Sequence, residues 1–535
     1  MMGTALGWSW ANIPILSPIL LVILASIILI LIYLNKTSKL MSKKKLSWIL
    51  IATVILFVII NALIFLKNQP PKVKFRLTLF PIQTDSTLTA SSWMGSALGA
   101  MVTQQLRFSA TEQGIVSPVE WIQPIINRDS LTNQNYLKKF TRQMRGDYFL
   151  IGIISGDASA PLLRYNMVNA LNGATAVNDS VILIPEELPQ LSTQISNQIL
   201  AYFQLPPKKS ASKIAYIHPQ AYQDYLVGET FYQQKNYPTA IDWAEKALEI
   251  DSSLTDAYLL AGKSYFMKGL SQKQQGESPD AEFEPARQLF LKVITLDSTR
   301  DDAYAFLGEY SVYRERWSVA EDMLAKAYRL NPNNPRLYLT FSRLHRSRYQ
   351  QLGLKDEEEL FKRAIFIHPG YEDAYLMLAD HHLFKNRREP AIQVLEQFLQ
   401  INPNSVPELM ALGKIYLVRN DILKIIAVFN RVLQLEPDNA DAYYNLGILY
   451  YNSKDFDTAE KFFMRALSIN NHANTHLYLA YLYEARGEYE KAIDYLRKRI
   501  RLRKGPDDEF AEEARKHLFQ LVHRDSTQID SSGKM

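Results

Sequence analysis

Two long apolar runs lie near the amino-terminal end of the chain. Residues 13–34 and residues 46–66 contain no charged side chain. At a rise of about 1.5 Å per residue, a helix of either length exceeds the roughly 30 Å hydrocarbon core of a bilayer. We therefore predict two transmembrane helices, which form a transmembrane hairpin within residues 1–70.

The short segment between the two runs is basic. It has no acidic residue and contains Lys36, Lys39, Lys43, Lys44 and Lys45. Because short basic loops stay on the cytoplasmic side, the sequence predicts a protein integral to the cytoplasmic (inner) membrane with an extracytoplasmic soluble part. The contrast between the two sides is weakened by the cations that follow the second run, Lys67, Lys72, Lys74 and Arg76.

Residues 72–206 alternate between strand-like and helix-like patterns. Alternation of apolar and polar residues predicts strands, and apolar residues at intervals of three and four predict helices. The predicted order β-α-β-α-β-β-β-α falls on residues 73–82, 91–107, 114–119, 131–145, 147–154, 162–170, 174–183 and 186–203. A segment of this length can hold its own core, so we predict a small α+β domain.

From residue 221 the pattern recurs about every 34 residues, the length of a helix-turn-helix unit that stacks into a solenoid. Small residues return at the eighth, twentieth and twenty-seventh positions, as Gly228, Ala240 and Ala247 do in the first unit. Small side chains at these positions let paired helices approach closely. Eight units are predicted within residues 221–506, starting near 221, 255, 301, 335, 372, 406, 440 and 473.

The array contains irregularities and a distinct end. The second unit carries extra residues, which we place in a polar loop at about 270–282, and the fourth carries a few near 352–355. Residues 507–523 predict a capping helix, and residues 524–535 a disordered tail. The small-residue pattern is broken at Ser342, Glu357, Ile425 and Arg499.

The seventh unit shows the repeated residues most fully, as Tyr443, Leu446, Gly447, Tyr450, Ala459, Phe463 and Ala466. These residues resemble the tetratricopeptide repeat (TPR) pattern. The resemblance implies an α-solenoid, a right-handed superhelix whose concave face holds a protein or peptide partner.

In such arrays the second, fifth, ninth, twelfth and thirteenth positions of each first helix line the concave face. The resemblance therefore implies a partner-binding groove that contains Tyr225, Tyr232, Leu259, Phe266, Tyr313, Leu376, Phe384, Met410, Leu417, Tyr444, Ile448, Tyr451 and Tyr481. The alternative, that about half of these residues belong to the core between repeats, stays open.

A second resemblance concerns the α+β domain. Leu77 to Pro81 open it, a helix is predicted over Met94 to Leu106, and the strand in Gly146 to Gly152 enters through a Gly-Asp pair and ends in a glycine. These features resemble the TolB amino-terminal and FlgO family of bacterial envelope domains, which also occur beside TPR arrays in membrane-bound signalling proteins. The resemblance implies an accessory or docking role.

Composition and charge exclude several functions. The absence of cysteine removes disulfides, thiol catalysis and thiolate metal sites. The net charge of +5 is concentrated beside the apolar runs, and residues 213–535 are mildly acidic. That distribution argues against a nucleic-acid-binding protein, which would show a basic face.

The histidines do not form a convincing metal site. Asp380, His381 and His382 are consecutive, so on a helix they point in different directions. The pair His472 and His476 lacks a matched carboxylate. We predict no metal, no cofactor and no catalytic residue.

Two functions remain open for a chain of this kind. The first is a membrane-anchored scaffold or adaptor that binds a protein partner in its concave groove. The alternative is a sensor or regulatory subunit of an envelope signalling system, whose α+β domain receives a ligand or partner. An enzyme of a glycosyl-transfer or peptidoglycan system would need a catalytic motif, which the sequence does not show.

Overall fold

The computed structural model describes residues 73–110, 113–122, 125–207, 218–274, 277–350, 353–503, 505 and 508–532. Both predicted transmembrane helices lie outside these residues. In the part of the chain that the structure describes, no helix combines the length and the apolar character that crossing a membrane requires.

The strands of the α+β domain form one mixed sheet. Within the described ranges the strands are β1 (Phe75–Leu79), β2 (Gln83–Thr84), β3 (Gly114–Ser117), β4 (Tyr148–Asp157), β5 (Ala160–Asn169) and β6 (Thr175–Ile182). The main order is β3-β1-β4-β5-β6, with β2 paired to β4. Strand β1 runs parallel to β3 and β4, whereas β4, β5 and β6 are antiparallel. The central β1 is almost wholly buried, as is usual for a parallel strand.

The helices of this domain are α1 (Ser92–Ala110), α2 (Val119–Ile122), α3 (Gln134–Gln143) and α4 (Leu188–Tyr202). The helices α1 and α4 pack against each other, and their apolar residues share one core with the sheet. The long elements follow the predicted order β-α-β-α-β-β-β-α, and the short β2 and α2 are additions to it.

The described chain from Pro219 to Arg501 consists of helix pairs, one of which contains an additional short helix. They are α5 (Pro219–Gln233) with α6 (Tyr237–Ile250), α7 (Thr255–Gln274) with α8 (Asp280–Leu296), α9 (Asp301–Tyr313) with α10 (Trp317–Leu330), α11 (Pro335–Phe341) and α12 (Arg346–Gln350) with α13 (Glu357–Ile367), α14 (Glu372–Phe384) with α15 (Arg388–Leu399), α16 (Val406–Arg419) with α17 (Ile422–Leu435), α18 (Ala440–Asn452) with α19 (Phe456–Ile469), and α20 (Ala473–Ala485) with α21 (Tyr489–Arg501).

Each first helix begins at, or close to, a predicted repeat start, so these pairs are called repeats 1 to 8. The prediction of a mainly α chain with a small α+β domain and a helical repeat array is confirmed.

The insertion in repeat 2 differs from the predicted loop. Helix α7 continues to Gln274 and helix α8 already begins at Asp280, so most of the extra residues lengthen the two helices. Residues 270–274 are mainly good helix formers, and the second helix starts directly after Pro279. The polarity of the segment, on which the loop prediction rested, does not distinguish a loop from a solvent-exposed helix.

Repeat 4 is the least regular unit. Its first helix ends at Phe341, and the Ser342 hydroxyl donates to the carbonyl of Leu339 over 2.8 Å. A serine that bonds to the preceding turn competes with the helix hydrogen bonds. The missing glycine at this position therefore coincides with the early end of the helix.

The last helix, α22 (Glu509–Ser532), extends beyond the predicted end at residue 523. Its sequence contains no proline or glycine before Gly533, so nothing in the chain forces an earlier end. In repeat 8, Arg499 stands at the twenty-seventh position, where several other repeats have alanine. Its side chain is buried and pairs over 2.5 Å with Asp508, which lies just before α22.

Glycines at the eighth position set the distance between paired helices. A Cβ atom at Gly413 would lie 2.5 Å from the ring of Phe429, and one at Gly308 would lie 2.5 Å from Cγ of Leu324. Both distances are far below van der Waals contact. A side chain therefore has no room where the two helices of a repeat cross.

We predict that Gly413→Ala destabilises the protein by about 1–3 kcal/mol, because the rigid Phe429 ring has to move. The matched control is Gly99→Ala in α1, which is also buried in a helix but has no atom within 4 Å of the new Cβ. This control should be neutral or stabilising by up to about 1 kcal/mol. Urea unfolding followed by circular dichroism measures both, and equal effects would contradict this packing account.

Candidate protein-binding surface

The α+β domain packs against the turns that join successive repeats. At the start of repeat 3, the Arg107 guanidinium lies 3.8 Å from the Asp301 carboxylate. At the start of repeat 4, the Asn333 side-chain amide donates to the carbonyl of Gly114 over 3.2 Å. The domain is therefore held to the edge of the array by polar contacts to consecutive turns.

The turn between repeats 4 and 5 carries further contacts. The Arg76 guanidinium donates to the carbonyl of Phe366 over 2.7 Å and lies 4.1 Å from the centre of the Phe366 ring. A Cβ atom at Gly370 would lie 2.7 Å from Ile125, so the chains approach closely here. The apolar core of the domain also continues into repeat 1, where Tyr222 is buried.

His368 is the buried polar group of this junction. Its ring stacks on Trp121 with centroids 4.5 Å apart, and its Nε2 donates to the carbonyl of Trp121 over 3.2 Å. Burial lowers the pKa of His368 to about 3, even though the hydrogen bond to the carbonyl favours the charged form. The imidazole is therefore neutral at pH 7.

The first five repeats and the α+β domain line an open cavity of about 1160 Å³. Residues from both parts line it, among them Arg107, Trp121, Tyr232, Lys263, Phe306, Arg336 and Tyr371. The concave side of these repeats is therefore partly covered by the chain's own α+β domain.

Charged residues of alternating sign occupy the ninth position of the first six repeats. They are Glu229, Lys263, Glu309, Arg343, Asp380 and Lys414. Lys263 pairs with Glu229 over 2.7 Å, and Arg343 lies 3.7 Å from Glu309. Glu309 also pairs with Arg336, and this carboxylate raises the pKa of the arginine although burial opposes the charge.

The predicted groove contained only apolar and aromatic residues and did not include this alternating series. The signal was present as the alternation of charge at a fixed position of the repeat. It means that the concave face of repeats 1 to 4 carries charges that are paired within the chain.

The thirteen predicted groove residues divide into three groups. Tyr225, Leu259 and Phe266 are buried, and Phe266 packs with its ring against Phe283 and Phe290. Phe384 is 90% exposed. The half-buried group comprises Tyr232, Tyr313, Leu376, Met410, Leu417, Tyr444, Ile448, Tyr451 and Tyr481. The buried residues belong to the core, and the other two groups leave surface for a partner.

Four tyrosines form a continuous surface on repeats 7 and 8. Tyr478 packs against Tyr444, Tyr451 and Tyr481 with ring centroids 5.5, 6.0 and 6.0 Å apart. The Tyr481 hydroxyl donates to Glu513 of α22 over 2.5 Å. Tyr478 was not among the predicted residues, because it falls at the sixth position of its repeat.

Two of the histidines considered as metal ligands, His381 and His472, have other partners. The rings of His381 and His472 contact the carboxylates of Glu357 and Asp441 at 3.1 and 2.8 Å. Among the residues that the structure describes, no group of three or more His, Asp or Glu side chains could hold a metal ion.

The fold and its concave face define an α-solenoid of helix hairpins joined to a small α+β domain. Family models described as tetratricopeptide repeat match residues 372–405 and 438–505, and a further TPR repeat model matches residues 413–454. Residues 372–505 of the chain therefore contain tetratricopeptide repeats.

Individual relatives are distant. The chain is 22% identical over 192 residues to anaphase-promoting complex subunit 7 of Arabidopsis thaliana. The matched segment covers 34% of this chain and 31% of that protein. The chain therefore spans less than a third of the length of this curated relative.

The chain is also similar to parts of several solved structures. A tetratricopeptide repeat protein from Parabacteroides merdae covers 49% of this chain and 98% of its own, with 15% identity and a TM-score of 0.35. The match to the APC/C hetero-tetramer Cut9-Hcn1 covers 63% of this chain and 64% of the other, with 17% identity and a TM-score of 0.39. The match to MamA covers 31% of this chain and 95% of MamA, with 21% identity and a TM-score of 0.26.

We predict that acid destabilises the protein through His368. Its pKa is 6.5 in the unfolded chain and about 3 in the folded one, so the unfolded chain takes up the proton first as the pH falls. The stabilisation is complete above pH 6.5 and is lost progressively between pH 6.5 and 3. At pH 5 the loss is about 2 kcal/mol.

Urea unfolding at pH 7.5 and pH 5 measures this effect. His368→Gln, which keeps a side-chain N–H but cannot titrate in this range, should lose about 2 kcal/mol of the pH dependence. The matched control His345→Gln removes an exposed histidine and should keep the wild-type dependence. An unchanged pH dependence in His368→Gln would contradict the neutral, buried state of the ring.

Proposed function

We propose that this TPR protein is a membrane-anchored scaffold that binds a protein partner on its concave face, with the contact centred on repeats 7 and 8. The observation that carries the proposal is the tyrosine surface of Tyr444, Tyr451, Tyr478 and Tyr481. Tyrosine combines a large apolar ring with a hydroxyl, which makes it frequent at protein interfaces. Half-buried tyrosines are also already ordered, so a partner loses little entropy in fixing them.

The distribution of charge and cover favours the later repeats. In repeats 1 to 4 the ninth positions are engaged in ion pairs such as Lys263 with Glu229, and the α+β domain faces this region. In repeats 7 and 8 the same positions hold Ile448 and Tyr481. Replacing paired charges by apolar groups lowers the cost of desolvating the surface when a partner binds.

The membrane anchor belongs to the same proposal. The uncharged runs at residues 13–34 and 46–66 would hold the protein in the cytoplasmic membrane, and the basic loop between them would place the repeats outside the cytoplasm. We further propose that the α+β domain is a TolB and FlgO-like accessory domain that docks on the array.

The alternative is a sensor or regulatory subunit whose α+β domain receives a ligand or partner. One observation favours it: β6 lies at the end of the main strand order, and its residue Ile182 is about half exposed. An exposed sheet edge with apolar side chains can accept a further strand. Contacts such as Arg76 with Phe366 would then connect that event to the repeats.

Affinity capture with the full chain tests the two functions. We expect Tyr444→Ala with Tyr451→Ala to reduce a captured, mass-spectrometrically identified partner at least tenfold, because two central aromatic contacts are lost. The matched control, Trp317→Ala with Tyr489→Ala, removes exposed aromatic residues at the starts of second helices and should leave capture unchanged.

The same experiment distinguishes the alternative. Capture that survives the tyrosine changes but is lost in Ile182→Glu would favour the sensor function, since the charge blocks the sheet edge. Equal loss in the tyrosine variant and its control would contradict the scaffold proposal. Thermal unfolding of each variant shows whether the repeats remain folded.

A further inference from the structure

A cluster of large apolar side chains is exposed where the helices of repeats 5 and 6 turn. Phe384 ends α14, Val418 lies one residue before the end of α16, and Ile422 and Leu423 begin α17. Their exposed fractions are 90%, 68%, 45% and 82%. We call these four residues the apolar edge.

The two turns lie next to each other. Arg419 at the end of α16 pairs with Glu389 near the start of α15, which connects the turn of repeat 6 to that of repeat 5. Leu383 and Leu417, the residues before Phe384 and Val418, pack against the same core cluster. The apolar edge therefore extends over two neighbouring turns, and Val418 directly follows the half-buried groove residue Leu417.

The repeat fold does not require apolar residues here. The position of Leu423 is the eighteenth of its repeat, and other repeats place Ser318, Glu389, Asp457 and Glu490 there. These polar residues suit the first turn of a helix, where acidic groups interact favourably with the helix dipole. A leucine has no charge to interact with the dipole, and an exposed leucine buries little apolar surface. Leu423 would therefore stabilise the protein only if another surface covered it.

The apolar edge is surrounded by cations. On the same turns lie Lys385, Arg387, Arg388, Arg419 and Lys424, against the acidic Glu389 and Asp421. Arg387 pairs with Glu358 over 2.7 Å, whereas Lys385 and Arg388 have no ion-pair partner within the described ranges and are exposed. The chain therefore leaves positive charge uncompensated around an apolar centre.

We propose that the apolar edge is a second contact site for the protein partner, and that it binds an amphipathic helix with an apolar stripe and acidic flanks. The apolar stripe covers Phe384 and Leu423, and the acidic flanks pair with Lys385 and Arg388. This inference rests on the proposed scaffold function and names the chemistry of the partner. The continuity with Leu417 lets one partner occupy the edge and the groove together.

The test uses the full chain in nanodiscs of zwitterionic lipid, with empty nanodiscs as background. The probe is a fluorescein-labelled helical peptide of 18 residues with a leucine stripe and glutamate flanks, and its counterpart has lysine flanks. Fluorescence anisotropy gives the affinity of each. We expect the glutamate peptide to bind at least tenfold more tightly, and higher salt to reduce the difference.

Two variants and a control locate the binding. Phe384→Ser with Leu423→Ser should weaken the glutamate peptide at least tenfold. Lys385→Glu with Arg388→Glu should weaken the glutamate peptide and strengthen the lysine peptide, an exchange of preference that misfolding does not produce. Leu171→Ser, which removes an apolar side chain 81% exposed in the α+β domain, should change neither affinity.

Three outcomes would overturn the inference. The first is equal affinity of the wild type for both peptides. The second is flotation of the protein with phosphatidylglycerol vesicles that the edge variants abolish, combined with peptide binding that they leave unchanged. The apolar edge would then be a membrane contact. The third is a concentration-dependent dimer that only the edge variants abolish.

Failure of the inference remains distinguishable from failure of the proposed function. Capture of a partner could depend on Tyr444 and Tyr451 and be unchanged in both edge variants. That result would support the scaffold function and contradict a role of the apolar edge in it.

Discussion

The structure depends on the close approach of paired helices at positions that admit no large side chain. A Cβ atom at Gly413 would lie too close to the ring of Phe429, and one at Gly308 too close to the side chain of Leu324. Ala320 and Ala327, on the facing helix of repeat 3, are fully buried. Because this close packing recurs along the array, as at Gly447 against Phe463, successive helix pairs stack on one another and form a solenoid.

This regular stacking produces two surfaces with different roles. The turns between repeats form an edge on which the α+β domain rests, through contacts from Asp301 to Gly370. The concave face begins with paired charges and ends with tyrosines. A single period in the sequence thus supports an internal docking site at one part of the array and a proposed partner site at another.

Sequence patterns predicted the local features well and the long-range ones poorly. The repeat starts follow from residues such as Gly447 and Phe463, which recur because each repeat solves the same packing problem. The junction of Trp121 with His368 could not be predicted, since it joins residues 247 positions apart and neither belongs to a periodic pattern. In the groove, position alone did not separate the buried Phe266 from the half-buried Leu417, both of which are twelfth in their repeats, because burial depends on the insertion and on the neighbouring repeat.

Hydrogen–deuterium exchange on the full chain tests most directly the claim that the α+β domain covers the turns of the early repeats. The comparison is between the wild type and Arg76→Ala with Trp121→Ala, which removes two contacts to the turn before repeat 5. The account predicts faster exchange at residues 331–334 and 366–371 in the variant, with unchanged exchange at residues 440–501. Turns that exchange at the same rate in both proteins would contradict it.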